Sequence, residues 1–145
     1  MSFQFTLQKV LEMKEHNKME AQLEYQDAMR KFEEVATELY HVLKKKEEIL
    51  QTYEENIGKG VPISIIQQTE EALRFLQLQI DRLQESTHYA RSSMNEKQQL
   101  LLTSTVDLKK YEKMKEKKFQ QYEVEQKRFE NKNLDEVSVQ QYMNR

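Results

Sequence analysis

The stretch that decides the fold is Ile57-Gly58-Lys59-Gly60-Val61-Pro62-Ile63, in a chain of 145 residues. It holds both glycines and the one proline of the sequence. Because glycine and proline are the residues that most readily end a helix, the stretch predicts a turn at residues 58–63. Since the turn is short, the segments on either side of it are predicted to be antiparallel neighbours.

The same pattern runs through both flanking segments: seam positions recur at spacings of four and three residues. Before the turn they are Ala21, Tyr25, Ala28, Phe32, Val35, Leu39, Val42, Lys46, Ile49 and Tyr53. After it they are Ile66, Thr69, Leu73, Leu76, Ile80, Leu83, Thr87, Ala90, Met94, Lys97, Leu101, Ser104, Leu108 and Tyr111. A period of 3.5 residues keeps one stripe against a partner helix. The sequence therefore predicts an all-α fold, a long two-helix antiparallel coiled-coil hairpin with a C-terminal overhang.

The boundaries of the helices follow from local signals. Helix one is predicted over about residues 6–57 and helix two over about 64–131, in a single domain spanning residues 1–145. Gly58 is expected to take the left-handed conformation that ends helix one, and Ser64 with Gln67 has capping-box spacing. The stretch Asn131-Lys132-Asn133 weakens helix two, so residues 132–145 are expected to form a weak tail.

The two predicted helices differ in length. With the turn centred near residue 60, residue i faces about residue 121 − i, so Phe3 lies opposite Lys118. The remaining ~40 Å of helix two has no partner within the chain. Its apolar side chains are expected to meet another protein, with a frayed tail as the alternative. They are Phe119, Tyr122, Val124, Phe129, Leu134, Val137 and Tyr142.

Composition narrows the function classes. The formal net charge of −2 gives no global attraction to nucleic acid. The chain has no cysteine and therefore no disulfide or thiolate chemistry. It contains neither an apolar run of about 20 residues nor a signal-peptide pattern. We therefore expect a cytoplasmic protein without direct membrane insertion.

Two Glu-x-x-His strings, Glu38/His41 and Glu85/His88, raise the question of a metal site. In di-iron bundles such pairs point inward. Here they are displaced from the seam by about 100° and about 200° around the helix, so solvated faces are the favoured interpretation. No nucleophile–base arrangement and no phosphate-binding glycine loop occurs either. The expectation is that there is no enzyme activity, no catalytic residue, no metal and no cofactor.

Two further surface features bear on possible partners. Six lysines lie in the run Lys109–Lys118, which also holds two glutamates and no arginine. Because its lysines surround the helix, the run favours a solvated face. If the run binds a partner, an acidic protein surface is favoured over DNA. Phe75 and Leu78 lie off the seam, which predicts either a contact patch or local packing.

The two ends of the chain carry more specific patterns. The chain opens Phe3-Gln-Phe5-Thr-Leu7-Gln-Lys9-Val10-Leu11-Glu-Met-Lys-Glu15. Later it reads Tyr111-Glu-Lys-Met-Lys-Glu-Lys-Lys118, then Tyr122, then Phe129-Glu130-Asn-Lys132-Asn-Leu134-Asp135-Glu136. Together with the length, the central Gly-x-Gly turn and the overhang, these ends resemble the flagellar export protein FliJ family over essentially the whole chain.

The resemblance implies a non-enzymatic component of the flagellar type III protein export apparatus, needed for flagellum biogenesis and motility. FliJ proteins resemble the central stalk of rotary ATP synthases. The implied partners are the hexameric flagellar export ATPase, a membrane export gate protein and flagellar export chaperones. In the family, the paired ends of the rod enter the pore of the ATPase, and the part nearer the turn reaches the gate protein. The implied location is cytoplasmic and peripheral to the cytoplasmic membrane at the flagellar base.

The resemblance also carries site residues over by position. The ATPase-binding candidates are Phe3, Phe5, Leu7, Leu11, Phe129, Leu134, Asp135, Glu136 and Val137. The export-gate-binding candidates are Val42, Ile49, Ala72, Phe75, Leu76 and Leu78. Two other functions stay open: a generic cytoplasmic coiled-coil adaptor, and a holdase-type chaperone. Prefoldin-like holdases need β-hairpins, which the sequence does not predict.

Overall fold

The computed structural model describes residues 2–144 and contains two α-helices. Helix α1 spans Gln8–Lys59 and helix α2 spans Ile63–Met143. No strand occurs among the described residues. By its contacts the chain divides into two units: a terminal unit of Met1–Glu20 with Leu102–Arg145, and a turn unit of Ala21–Leu101. In each unit a segment of α1 packs against a segment of α2, which confirms the all-α, antiparallel two-helix fold. The single-domain division stays a prediction.

The turn between the helices is shorter than predicted and is made by a different glycine. Gly60, at φ +82°, takes the left-handed conformation, and its N–H donates to the Ile57 carbonyl at 3.3 Å. Pro62 precedes α2, and its carbonyl accepts the N–H of Ile65 at 3.1 Å. The predictions that Gly58 ends α1 and that Ser64 caps α2 were therefore wrong. Proline at the cap position lacks only an N–H that would have had no helical partner.

Helix α2 continues 12 residues beyond the predicted end at Asn131, since it runs to Met143. Asparagine lowers helix stability by at most about 0.7 kcal/mol relative to alanine, and no glycine or proline follows Pro62. Two asparagines therefore do not interrupt the helix. The weak tail predicted for residues 132–145 is helical through Met143.

The seam of the turn unit matches the sequence pattern position by position. Every seam residue predicted between Ala21 and Leu101 is buried or half-buried. Ile80 is the most deeply buried, with 2% of its surface exposed. Buried Thr87 donates its hydroxyl to the Leu83 carbonyl at 2.6 Å, so this polar side chain needs no partner across the seam. Full burial of one Ile or Leu side chain contributes about 1.5–3 kcal/mol, which applies to Leu76 and Ile80, while the half-buried seam residues contribute less each.

The register of the turn unit follows the predicted rule within two residues. Lys97 Nζ pairs with Glu24 Oε2 at 3.3 Å, the partner that the rule gives. Lys46 Nζ donates to Gln77 Oε1 at 2.7 Å, two residues from the expected position. Both lysines occupy seam positions, and their ammonium groups contact polar side chains of the other helix, Gln77 and Glu24. Such polar seam residues fix register at some cost in stability.

The terminal unit pairs the start of the chain with the middle of α2. Leu11 and Leu108 are its buried apolar residues. Lys14 Nζ lies 3.9 Å from Asp107 Oδ2, again the predicted register. Beyond Tyr122 the unit changes, because every residue from 127 to 144 is exposed. We call residues 123–143 the C-terminal arm. The exposure of residues 127–144 confirms an overhang. It begins later than predicted, because Phe119 and Tyr122, which were expected to have no partner within the chain, both pack against Phe3.

Candidate protein-binding surfaces

The N-terminal segment lies against α2 in the terminal unit. The Phe3 ring centroid lies 5.3 Å from that of Phe119, edge to face, and 5.5 Å from that of Tyr122. Such aromatic pairs add about 0.5–1.5 kcal/mol beyond their buried area. Phe5 and Leu7 are half-buried and keep part of their surface available. The segment thus fixes the first residues of the chain next to the base of the C-terminal arm.

Leu11 behaves differently from the other N-terminal candidates. Its side chain is 3% exposed, so it belongs to the seam of the terminal unit. A partner cannot contact this side chain while the two helices stay paired. Its role in the structure is core packing.

The C-terminal arm presents its predicted residues to solvent. Phe129 is 62% exposed and Leu134 is 64% exposed. Val137, Asp135 and Glu136 are exposed as well. The five side chains project from one continuous helix, and the Phe129 and Val137 directions differ by about 80°. Exposed apolar side chains also occur elsewhere on both helices, so exposure alone does not mark a binding surface. The arm differs because no described residue of α1 lies beside positions 127–143.

The predicted gate-binding residues of the turn unit fall into three groups. Phe75 and Leu78 are 62% and 60% exposed, and Ala72 is also exposed. Three residues apart on a helix, Phe75 and Leu78 share one face. Val42 and Ile49 are half-buried at the seam. Leu76 is 4% exposed and packs in the seam, so its side chain is not available to a partner.

The two Glu-x-x-His strings do not point toward a common site. Glu38, His41, Glu85 and His88 are all exposed. Among residues 2–144 no group of three or more His, Cys, Asp or Glu side chains could hold a metal ion. The remaining histidine, His16, pairs its Nε2 with Glu20 Oε1 at 3.2 Å, one helical turn along α1.

One titrating group on α1 is shifted. Asp27 lies 3.1 Å from Lys31 Nζ and 2.6 Å from Arg30 Nη2. The hydrogen bond and charge of Lys31, with a smaller contribution from Arg30, lower the pKa of the Asp27 carboxyl below its ordinary value of 3.8. The cluster is local to the helix and fully solvated, so it supports α1 and forms no site.

The interpretation of the lysine run as surrounding the helix was incomplete. At 100° per residue, Lys109, Lys110, Lys113 and Lys117 lie within one 100° arc of α2. Lys127 and Arg128 continue the same arc, and all six are exposed. The sequence held this signal, since the predicted helix two already included Lys127 and Arg128, which lie beyond the lysine run. We call these six residues the basic face.

Among residues 2–144, neither helix has the length and apolar character required to cross a membrane. The comparisons with known proteins agree on one family. The family described as "Flagellar FliJ protein" matches residues 3–145. The chain is 35% identical over 143 residues to a "Flagellar FliJ protein" of Bacillus subtilis (strain 168), an alignment covering 99% of this chain and 97% of that protein. No solved structure matches the chain.

Proposed function

Because the chain belongs to the family of flagellar FliJ proteins and is thus a component of flagellar protein export, we propose that it acts as a non-enzymatic central stalk of the hexameric export ATPase. In this proposal it couples the ATPase to the membrane export gate protein and assists export chaperones. It works in the cytoplasm at the flagellar base. The observation that carries the proposal is the helical C-terminal arm, whose residues 127–143 expose large apolar side chains that no described residue covers.

The arm is suited to a partner that encloses it. An isolated amphipathic helix end is marginal in water, so contact with a protein would stabilise it. Phe129 and Leu134 are the expected anchors, each contributing about 1–3 kcal/mol once buried. Phe3 packs on Phe119 and Tyr122 just before the arm begins, so the first residues of the chain are positioned to enter the same ring.

The turn unit offers the second surface of the proposal. Phe75 and Leu78 form an exposed apolar pair there, with Ala72 one turn before Phe75. Val42 and Ile49 are exposed in part and border the seam. We assign the gate contact to these residues and leave Leu76 in the seam.

The test is a pull-down of the export ATPase hexamer with the full chain and with a chain lacking residues 129–145. The full chain should co-purify with less than one copy per ATPase subunit, and images of the complex should show a filled central pore. The truncated chain should lose binding and keep its thermal melt, because the deleted residues make no seam contact. Normal binding of the truncated chain would mean that the arm is not the ring-facing element. Failure of the full chain to bind the ATPase would favour the alternative function, a generic coiled-coil adaptor.

A further inference from the structure

Helix α1 carries a third apolar row in the turn unit, beside the two rows of its seam. The third row repeats every seven residues and consists of Met29, Ala36, Leu43, Leu50 and Ile57. A helix that packs against a single neighbour needs two apolar positions in seven, whereas three are typical of a helix with two neighbours in a bundle. Among residues 2–144, α2 is the one helix that can lie beside α1. The third row therefore indicates a further helix from another molecule.

The structure leaves the third row open on its outer side. Leu43, Leu50 and Ile57 are each 38–50% exposed, and the two remaining members are half-buried. The row of α2 on the same side of the seam is mostly polar and consists of Ile63, Glu70, Gln77, Gln84 and Arg91. An apolar row on one helix and a polar row on the other do not cover each other well.

Two side chains of the polar row of α2 contact the seam instead of the third row. Gln77 Oε1 accepts a hydrogen bond from Lys46 Nζ at 2.7 Å. The guanidinium carbon of Arg91 lies 5.4 Å from the centre of the Phe32 ring. Lys46 and Phe32 are both seam residues of α1. These contacts also set Gln77 near the level of Leu43 along the two helices.

A second copy of the chain matches the third row. When the copy is turned end for end about a twofold axis at Leu43, residue i of α1 lies opposite about residue 86 − i of the copy. A parallel face-to-face copy would instead set the apolar row against the polar row of α2. The antiparallel arrangement therefore buries the row against itself. Its apolar contacts are Met29 with Ile57, Ala36 with Leu50, and Leu43 with Leu43 of the copy.

The charges of α2 match in the same arrangement. Because Gln77 lies near the axis, residue i of α2 faces about residue 154 − i of the second copy. Arg74 then lies close to the level of Asp81 in the copy, and the symmetry forms this pair twice. Asp81 is held on this face because its Oδ1 accepts a hydrogen bond from Gln77 Nε2 at 2.9 Å. Both charged side chains are exposed in the single chain.

One set of like charges opposes this arrangement. Glu33 and Glu54 lie on the outer rim of α1, and each would face the other residue in the second copy. Both are exposed, so water and salt screen their repulsion. The apolar row and the two Arg74–Asp81 pairs are nearer the axis and are covered by the copy, so they decide the balance.

We propose that the free chain forms an antiparallel homodimer, in which two turn units make a four-helix bundle through the third row of α1. The overlap covers about residues 26–60 and 63–94 of each copy and supplies about 20 facing residues a side, as in a stable interface. It lies within the turn unit, so the C-terminal arm stays available to the ATPase. Phe75 and Ala72 are about 140–160° around α2 from Gln77, so the proposed gate surface stays open as well.

The first test is the mass of the full-length chain, measured by light scattering over a range of concentrations. The wild type should have the mass of two chains. Leu43→Glu/Leu50→Glu should raise the Kd of the dimer at least about 100-fold and give the mass of one chain. The matched control Leu23→Glu/Leu102→Glu adds the same charge at two exposed leucines outside the overlap and should stay dimeric. Circular dichroism checks that the helices of each variant are intact.

A charge exchange tests the arrangement without changing the apolar row. Arg74→Asp should raise the Kd of the dimer about tenfold, because two acidic pairs replace two ion pairs. Adding Asp81→Arg to the same chain should restore the wild-type Kd. Positions 74 and 81 are seven residues apart, beyond the three or four residues at which side chains of one helix pair. Rescue therefore reports a contact between copies.

Single cysteines define the orientation, since the chain has none of its own. On mild oxidation, Leu43→Cys should form a disulfide-linked dimer, and Leu23→Cys should not. A mixture of Leu43→Cys and Gln77→Cys chains that links only to each other would show a parallel dimer and overturn the proposal. A monomeric wild type would overturn it too. So would equal loss of dimer in the two double leucine variants, or an Arg74→Asp effect that Asp81→Arg does not rescue.

Discussion

Helix α2 uses the same kinds of side chain for opposite purposes in two regions. In the turn unit, Ile80 is 2% exposed because α1 covers it. In the C-terminal arm, Leu134 is 64% exposed because no described residue outside the arm lies against it. Both are large aliphatic residues on a continuous helix. The comparison shows that burial here requires both that the other helix is present and that the side chain lies on the seam face, since Phe75 in the paired turn unit is as exposed as Phe129. The seam stabilises the fold, whereas the arm leaves apolar surface exposed, which the proposed function assigns to the ATPase.

The sharpest test of the seam side replaces Ile80 with aspartate. An unpaired carboxylate at a buried position costs several kcal/mol, so Ile80→Asp should lower the free energy of unfolding by about 3–5 kcal/mol. Glu85→Ala, a fully solvated change in the same unit, should stay within about 0.5 kcal/mol. Urea unfolding followed by circular dichroism measures both. Similar values for the two variants would contradict the burial pattern.

The corresponding test of the arm removes its anchors without shortening the helix. Phe129→Ala/Leu134→Ala should weaken ATPase binding by about 2–4 kcal/mol and leave the thermal melt unchanged. Leu102→Ala, which truncates another exposed leucine of the terminal unit, serves as the matched control and should bind normally. Calorimetric titration against the ATPase hexamer gives the affinities. A lowered melting temperature in the double variant would mean that the arm packs within the chain.

A third test asks whether exposed apolar residues of the turn unit act like those of the arm. Phe75→Ser/Leu78→Ser should reduce binding to the export gate protein about tenfold and impair motility, with ATPase binding and stability preserved. Leu23→Ser is the control, because Leu23 is 62% exposed, as is Phe75, but lies on α1 away from the pair. Equal losses of gate binding from the double variant and from Leu23→Ser would show that any exposed apolar residue contributes equally, and that Phe75 and Leu78 form no specific gate-binding surface.

The smallest effect is expected at a solvated charge cluster on α1. Lys31 lowers the pKa of Asp27, so this carboxylate stabilises the folded chain above its unfolded pKa and loses that contribution as pH falls through its folded pKa. Asp27→Asn should therefore melt slightly below the wild type at neutral pH. The difference should vanish at pH well below 3.8, and added salt should reduce it. A difference that persists at low pH would assign it to something other than the carboxylate charge.

Periodicity predicted the fold well because the seam depends on spacing alone. Every predicted seam position of the turn unit is covered, and the paired lysines Lys46 and Lys97 sit within two residues of the predicted register. Local signals were less reliable. Gly58 and Gly60 look equivalent in sequence, and only the geometry of the turn selects Gly60 for the left-handed conformation.

The candidate surfaces were predicted in part. The exposure of Phe129 and Leu134 followed from the unequal helix lengths, which a sequence shows directly. Leu76 was carried over as a partner contact although its seam position predicts burial, and it is buried. The basic face was missed although the predicted helix two already included Lys127 and Arg128, because the lysine run 109–118 was read by itself and its side chains do surround the helix.

The central claim is that the seam is buried within the chain while the arm becomes buried only on binding the ATPase. Hydrogen–deuterium exchange of the full chain, measured alone and with the ATPase hexamer, tests this claim most directly. In the free chain, amides near Ile80 should exchange slowly and those of residues 123–143 quickly, because the arm has no tertiary support. On adding the ATPase, protection should rise in residues 123–143 and stay constant near Ile80. Protection gained near Ile80 with an unchanged arm would contradict the account.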